Sequence, residues 1–330
     1  MKKSISLIAL ALGVALSGCS SLQTISFDQL EAADISFPPA VRKVAVVDNM
    51  PVFSKNKDPK AISPEMSGDG KIASEAFAKG LADANYFDQV IICDSALRVD
   101  NKDSETDKLL TKAEVQKLID DLGVDMIFSF DQLHIKAKES TVFYPDYPVP
   151  VNVVSGVVTP VIRAYISTRL APLLVVSKQD TLYWDINPSL SEEKIIKEAS
   201  EFAAYLPVDH LLPHWKQVVR YYFDGGGVEM RDAGVCLREN DWNTAYELWN
   251  TAYQKKKGQQ KMKAAFNIAL YYEIKDDLQN AREWVDKAQK LVKSGSKEEQ
   301  LLTFYSLELS TRAEKLTKLK IQMNRFDDNF

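Results

Sequence analysis

The sequence predicts an α+β chain: a small mixed α/β sheet domain followed by an all-helical region. Three observations carry this expectation. Between residues 41 and 133, short continuous apolar runs alternate with stretches whose apolar residues recur at helical spacing. Between 162 and 186, apolar and polar residues alternate in twos, which marks strands with one wet face. Beyond 191 the pattern is helical, and a segment near 241 recurs near 277. A length of 330 residues suits two domains, each large enough to bury a core without disulfides. Forty-one Lys and Arg against 46 Asp and Glu give a net charge of −5, which argues against a nucleic-acid partner.

The chain opens with a basic Met1-Lys2-Lys3 and an apolar run from Ile5 to Leu16. That run is shorter than the ~20 residues a membrane-spanning helix needs and has the length of a signal-peptide core. It leads into Leu16-Ser17-Gly18-Cys19, which resembles the bacterial lipobox. The resemblance implies that residues 1–18 are a lipoprotein signal peptide, that cleavage follows Gly18, and that Cys19 is the lipidation site. More than one acyl chain on Cys19, at ~0.8 kcal/mol per buried CH₂, holds a protein durably on a membrane. Ser20, where Asp would signal retention, matches the outer-membrane sorting rule of proteobacterial lipoproteins. The alternative is an ordinary secretory signal with a chance Cys. Residues 19–40 read as a lipidated tether that spaces the folded body from the membrane, with a turn of helix from Asp28 to Ala33 and an extended Phe37-Pro38-Pro39.

Residues 41–190 read as the α/β domain. Val44-Ala45-Val46-Val47-Asp48 is a strand buried on both faces. After a loop from Asn49 to Met66, Ile72, Ala73, Ala76, Phe77, Gly80, Leu81 and Ala84 make the stripe of a helix that Ser67 or Asp69 can cap. Phe87 to Cys93 is a second strand. Thr111 with Glu114 forms a capping box before the stripe Val115, Leu118, Ile119, Leu122, and Gly123 suits that helix's C-terminus. Val124 to Leu133 is a third strand. Alternation from Ile162 to Leu170 and the run Thr181 to Ile186 complete the order β-α-β-α-β-β-β.

Val44 to Asp48, Leu122-Gly123-Val124-Asp125-Met126-Ile127-Phe128 and the late Leu182-Tyr183-Trp184 together resemble the small α/β domain of curli-secretion-type and penicillin-binding-protein-activator lipoproteins and of the TolB N-terminus. The whole chain resembles uncharacterised Bacteroidota-type outer-membrane lipoproteins of the same two-part layout, a likeness that implies no activity. Secretion-pore relatives insert membrane hairpins. Here Val142 to Val158, with Pro145, Pro148 and Pro150, alternates poorly and reads as a loop over the domain or an exposed partner patch.

Residues 191–330 read as the helical domain. Ile195, Ile196, Ala199, Phe202 and Ala203 follow a Ser191 cap, and Leu211 to Phe223 reads as a helix with Trp215, Val218, Val219 and Tyr222 inside. Asp224-Gly225-Gly226-Gly227 ends it and can serve as a hinge. Asp241-Trp242-Asn243-Thr244-Ala245 then recurs as Asp277-Leu278-Gln279-Asn280-Ala281, an offset of 281 − 245 = 36. This resembles the tetratricopeptide repeat, whose period is about 34. The likeness is fuller in the second unit (Ile268, Ala269, Tyr272, Ala281, Val285, Ala288) than in the first (Ala233, Cys236, Ala245, Trp249, Ala252), and the helices from Glu298 onward read as a cap or a degenerate third unit. It implies a concave surface that binds a peptide or protein, with Tyr272, Trp249 and Trp242 as candidate partner-binding residues. An unrelated helical bundle is the alternative.

Chemistry-bearing patterns are few. His210 and His214 lie four apart, but Leu211 stands where a zinc-protease helix needs Glu, and Pro213 disturbs the helix. Gly68-Asp69-Gly70-Lys71 lacks the first Gly and the Ser or Thr of a phosphate loop. His134 reads as solvated, the run Asp100 to Asp107 as a solvated loop, and Cys93 and Cys236 as small buried residues rather than a bridge. The expectation is a non-enzymatic, lipid-anchored protein of the outer membrane, facing the periplasm, that scaffolds envelope proteins or peptides. It calls for no catalytic residue, metal or cofactor. The alternatives are a small-molecule or glycan-binding lipoprotein using Tyr183, Trp184 or the 49–66 loop, and a divergent enzyme using His210 and His214.

Overall fold

The structure is a computed structural model and describes residues 22–51, 62–93, 95–98, 109–144 and 149–329. The signal segment 1–18, Cys19, part of the 49–66 loop, the acidic run from Asp100, and Pro145 with Pro148 lie outside the described residues. As expected, a sheet-rich N-terminal region precedes a helical C-terminal one. The chain divides into two compact units, one of residues 33–214 and the other joining residues 22–32 to residues 215–329.

The α/β unit begins with β2 (Lys43–Asp48), numbered after a strand β1 (Leu22–Glu31) that belongs to the other unit. The order continues through β3 (Glu65–Ser67), α1 (Gly70–Asp83), β4 (Gln89–Ile92), α2 (Lys112–Leu122), β5 (Met126–Val142), β6 (Val151–Tyr165), β7 (Leu174–Val176), β8 (Asp180–Asp185), α3 (Glu192–Tyr205) and α4 (Val208–Leu211). β2 lies between parallel β4 and parallel β5, and β6, β7 and β8 extend the sheet antiparallel. Val44 to Val47 are buried to the last, as a central parallel strand requires. Phe77 of α1 meets Phe128 and Phe130 on one face of the sheet. Val115 of α2 joins Ala45, Val47 and Ile127 on the other. Side chains of neighbouring residues alternate between faces, so two helices on opposite faces account for a strand with no polar position.

The local punctuation behaves as its chemistry dictates. Asp69 caps α1 by accepting from the Ile72 N–H, and Thr111 and Glu114 close the full capping box of α2. Gly123 ends α2 at φ +63°, a left-handed conformation that glycine adopts without strain. Ser191 caps α3 through the Lys194 N–H.

Four expectations need correction. The apolar insertion from Val142 to Val158 is largely strand: Val151 to Tyr165 pairs along nearly the whole of β5, and Gly156 leaves the room in which Trp184 lies. Pro150 precedes the strand, while Pro160 sits within it. The boundary at 190 moves to 214, because α3 packs on α1 and on the sheet, with Glu198 accepting from the Trp184 Nε1–H. The segment read as a tether, 19–40, is built into the fold: Leu22–Glu31 is strand β1, with no helical turn at Asp28, and Phe37 is buried against Phe87 and Phe128. Finally, Leu211–Phe223 is not a helix. After α4, Pro213 is followed by strand β9 (His214–Phe223). Trp215 and Val219, expected inside, are 70% and 55% exposed. The run Val218-Val219-Arg220-Tyr221-Tyr222-Phe223 is β-branched and aromatic, and pairing with β1 decides in favour of extended chain.

In the helical unit, β1 and β9 form a two-stranded ribbon. It is followed by α5 (Val228–Arg238), α6 (Trp242–Lys255), α7 (Gly258–Ile274), α8 (Leu278–Gln289), the 27-residue α9 (Lys297–Met323) and a closing 3₁₀ turn. The 36-residue offset is structural. Asn240 and Asp276 take φ +61° and +58°. The N–H groups of Asp241 and Asp277 donate to the carbonyls of Cys236 and Tyr272. The two aspartates then cap α6 and α8 through Thr244 and Asn280. Ala245, Ala252, Ala281 and Ala288 are wholly buried, so small residues bring the paired helices together.

Candidate functional site

The helical unit carries a groove with a volume of about 370 Å³, at the lower end of the range of ligand sites. One wall is β1, through the consecutive residues Thr24, Ile25, Ser26 and Phe27. The other is the turn from α5 to α6, through Leu237, Arg238, Asn240 and Trp242. Tyr222 and Ile274 complete it. The left-handed Asn240 sets the turn, and its side-chain oxygen accepts from the Trp242 Nε1–H at 3.0 Å. Trp242 thereby presents its ring edge-on to Phe27, at a centroid distance of 6.4 Å. Arg238 is the one charged residue of the lining. It is exposed and makes no ion pair among the described residues, while Asp241 is engaged in capping α6.

The three candidate partner-binding residues fare differently. Trp242 lines the groove. Tyr272 is half-buried, one hydroxyl in a pair with Tyr246 at 3.1 Å, and that bond together with burial pushes its phenol up to about 12. Tyr246 stacks on Tyr271 at 4.3 Å, so the tyrosines form one aromatic cluster beside α6. Trp249 is 0% exposed and belongs to the core with Met262 and Phe266. A side chain with no exposed surface offers nothing to a partner, and the expectation is corrected there. In each repeat a large residue on the helix face toward the next helix is packing material, and spacing alone does not separate it from a contact residue.

The ribbon that makes one wall is braced by a buried carboxylate that the sequence pattern did not reveal. Glu273 of α7 is wholly buried. It takes Arg220 of β9 at 2.9 Å, Arg312 of α9 at 3.1 Å and the Tyr305 hydroxyl at 2.8 Å. Three separate elements thus meet on one acid, and burial beside that negative charge drives the Tyr305 phenol well above its ordinary value. Lys216 and Lys315 reach Glu31 of β1 at 3.5 Å each.

The α/β unit has its own polar centre, also missed, where the carboxyl end of β2 lies beside residues 129–131 of β5. A bulge between Phe130 and Gln132 leaves Asp131 buried inside the sheet. Asp131 accepts from Asn49 at 2.6 Å, from Arg163 at 2.7 Å and from Ser129. Arg98 ties Asn49 to Glu114 of α2. Burial pushes the Asp131 carboxyl up, against the pull of those three donors. Burial also raises Asp48, against the Met50 N–H and with help from the Asp69 charge. An Asp following an apolar strand is the sole sequence signal of this cluster.

The remaining candidates do not assemble a catalytic centre. His210 pairs with Asp34 at 2.6 Å, while His214 opens β9 and faces the Leu212 carbonyl. No group of three or more His, Cys, Asp or Glu is placed to hold a metal among the described residues. Gly68 and Gly70 are packing positions against Leu133 and Asp48. Trp184 is buried under α3, and Tyr183 is exposed. His134 is exposed on β5 beside Gln132. Cys93 and Cys236 are free and half-buried.

A mixed α/β sheet unit whose sequence interrupts that of a helical unit is the class the fold defines. The chain belongs to the family described as domain of unknown function DUF8603, whose model matches residues 41–223. Residues 231–311 match a second model, domain of unknown function DUF6340. The first match ends at Phe223, so it takes in β9 without the helices that surround it. No curated protein matches the chain. Among solved structures, the PelC dodecamer from Paraburkholderia phytofirmans is similar at 9% identity, over 58% of this chain and 100% of its own, with a TM-score of 0.29. The hypothetical protein CT253 from Chlamydia trachomatis is similar at 12% identity, over 42% of this chain and 72% of its own, with a TM-score of 0.23. Likeness at that level carries no inference about function.

Proposed function

We propose that the chain is a lipid-anchored protein of the bacterial envelope whose helical unit binds proteins or peptides. On this reading it is held at the outer membrane through Cys19, faces the periplasm and performs no catalysis. It would be one of the uncharacterised Bacteroidota-type lipoproteins with tetratricopeptide-repeat-like helix pairs. The observation that carries the reading is the groove beside Trp242, whose wall β1 begins 22 − 19 = 3 residues after the proposed lipid site. Thr24 is five residues from Cys19, and extended chain of that length reaches at most ~18 Å. The binding surface is therefore kept close to the bilayer rather than spaced from it. Among the described residues no helix is long and apolar enough to cross a membrane, so the acyl chains supply the attachment.

The test has two arms. Cys19→Ala should move the protein from the membrane to the soluble fraction on cell fractionation; retention in the membrane would remove the anchor. A photo-crosslinker at position 238 or 242 should capture envelope proteins that a crosslinker at the exposed Tyr183 does not. Equal capture from both surfaces would remove the assignment of binding to the helical unit.

A further inference from the structure

The groove is lined by four consecutive residues of a strand, and this says more than that it is concave. Side chains of a strand alternate between faces, so a wall made of Thr24, Ile25, Ser26 and Phe27 in succession is the strand's main-chain edge. Among the described residues β1 pairs with β9 alone. In a two-stranded ribbon each strand turns half of its N–H and C=O groups away from its partner. No hydrogen bond to the main chain of residues 23–28 is made from outside the ribbon among the described residues. An edge of this kind is a template for another strand.

The walls specify what strand it would accept. Phe27 and Trp242 offer joined aromatic faces. The turn opposite β1 places the cation of Arg238 and the side chain of Asn240 at the rim, with no other charge in the lining. An exposed guanidinium without an ion-pair partner matches a carboxylate and offers it two parallel N–H donors.

We propose that this groove binds an acidic peptide in extended form, added as a third strand along β1. Alternate side chains of the peptide, apolar or aromatic, pack against Phe27 and Trp242, and a carboxylate of the peptide meets Arg238. Main-chain bonds to Thr24–Phe27 supply affinity, and the aromatic pair and Arg238 supply selectivity. The proposal rests on the reading of the helical unit as a peptide-binding surface and names the chemistry of its partner.

The probe is a displayed library of random eight-residue peptides, panned against the full-length protein in non-ionic detergent. The expected result is enrichment of sequences in which apolar residues alternate and an Asp or Glu recurs at one position. An enriched peptide, made synthetically, should slow hydrogen exchange at the amides of residues 23–28. N-methylation at alternate peptide nitrogens should weaken binding at least tenfold, because it removes the ladder donors. Arg238→Ala, an exposed position whose loss leaves the core intact, should weaken it tenfold or more and abolish the acidic preference. Tyr183→Ala, outside this unit, should change nothing. Absence of enrichment, an acidic preference that survives Arg238→Ala, or full binding by the N-methylated peptide would overturn the proposal. Such a failure is distinguishable from failure of the broader reading: fractionation of Cys19→Ala and crosslinking from position 242 report on anchor and partner without reference to strand addition.

Discussion

The two units each bury one acid, and they brace it in opposite ways. In the α/β unit Asp131 sits at a bulge in a strand already paired on both sides, and a single arginine, Arg163, answers its charge. In the helical unit Glu273 receives two arginines and a tyrosine from two other elements, β9 and α9, and one of those arginines comes from a strand, β9, with a single pairing neighbour among the described residues. The first acid decorates a sheet that main-chain bonds hold together. The second stands in for the missing strands, clamping a two-stranded ribbon to helices. A ribbon of two strands is marginal alone, so the clamp and the apolar packing of Ile25 and Phe27 carry what a wider sheet would otherwise supply.

The sharpest way to break that contrast is to remove each acid. Glu273→Ala removes the buried carboxylate that Arg220 and Arg312 share, leaves each only its more exposed second partner, Glu308 or Asp276, and should lower stability by about 3–5 kcal/mol in urea titrations. Asp131→Ala strands a single arginine, Arg163, and should cost about 2 kcal/mol. Equal losses would mean that both clusters serve one role. Next in size is the core of the helical unit. Trp249→Ala should cost about 3–5 kcal/mol through the cavity it leaves. Trp249→Phe should cost clearly less, because the Trp249 Nε1–H is buried without a hydrogen-bond partner and its removal takes away a desolvated donor. Thermal melts of the two variants give the comparison directly.

The smallest expected effect is in pH dependence. The Asp131 carboxyl is raised in the folded chain, chiefly by burial. A group raised in this way binds its proton more tightly folded than unfolded. Its contribution to stability therefore grows as pH falls from its folded value toward its unfolded one. Glu114 is the opposite case: despite burial, the donors from Thr111 and Arg98 bring it below its ordinary value. Its contribution is present above the unfolded value and is lost as pH falls through the folded one. Asp131→Asn should thus lose ground to the parent protein as pH is lowered from 7 toward the carboxylate range. A difference between the two that is constant with pH would put the Asp131 titration elsewhere.

What was legible in the sequence follows the range of the interactions involved. Asp69, the Thr111–Glu114 box, Gly123 and Ser191 each act within a turn of the chain, and each stands where its chemistry placed it. Val44 to Val47 announced a central strand because both its faces are covered, and that burial is written in every residue. β1 and β9 were illegible for the converse reason. Leu22–Glu31 holds few apolar residues, and Trp215, Val218, Val219 and Tyr222 fall at the i, i+3, i+4, i+7 spacing of a helix stripe although the segment is a strand. What makes them strands is each other, across the length of the α/β unit. The site inherits the same limit. Trp242 was found because it stands in the recurring segment, whereas Arg238 and Phe27 join it through that distant pairing, and Trp249 looked the same as Trp242 until its burial was known.

The nesting of one unit inside the sequence of the other also sets an order of events. β1 is synthesised before any of residues 33–214, and β9 after nearly all of them. The ribbon cannot close until the last of those residues has emerged, whereas β2, α1 and β4 can begin their own assembly as they appear. Closing so long a loop adds only ~0.6 kcal/mol for each doubling of its length, but pairings between distant segments form slowly. The strand nearest the proposed acyl anchor is made first and docked last, so during maturation its edge is open on both sides before it is open on one.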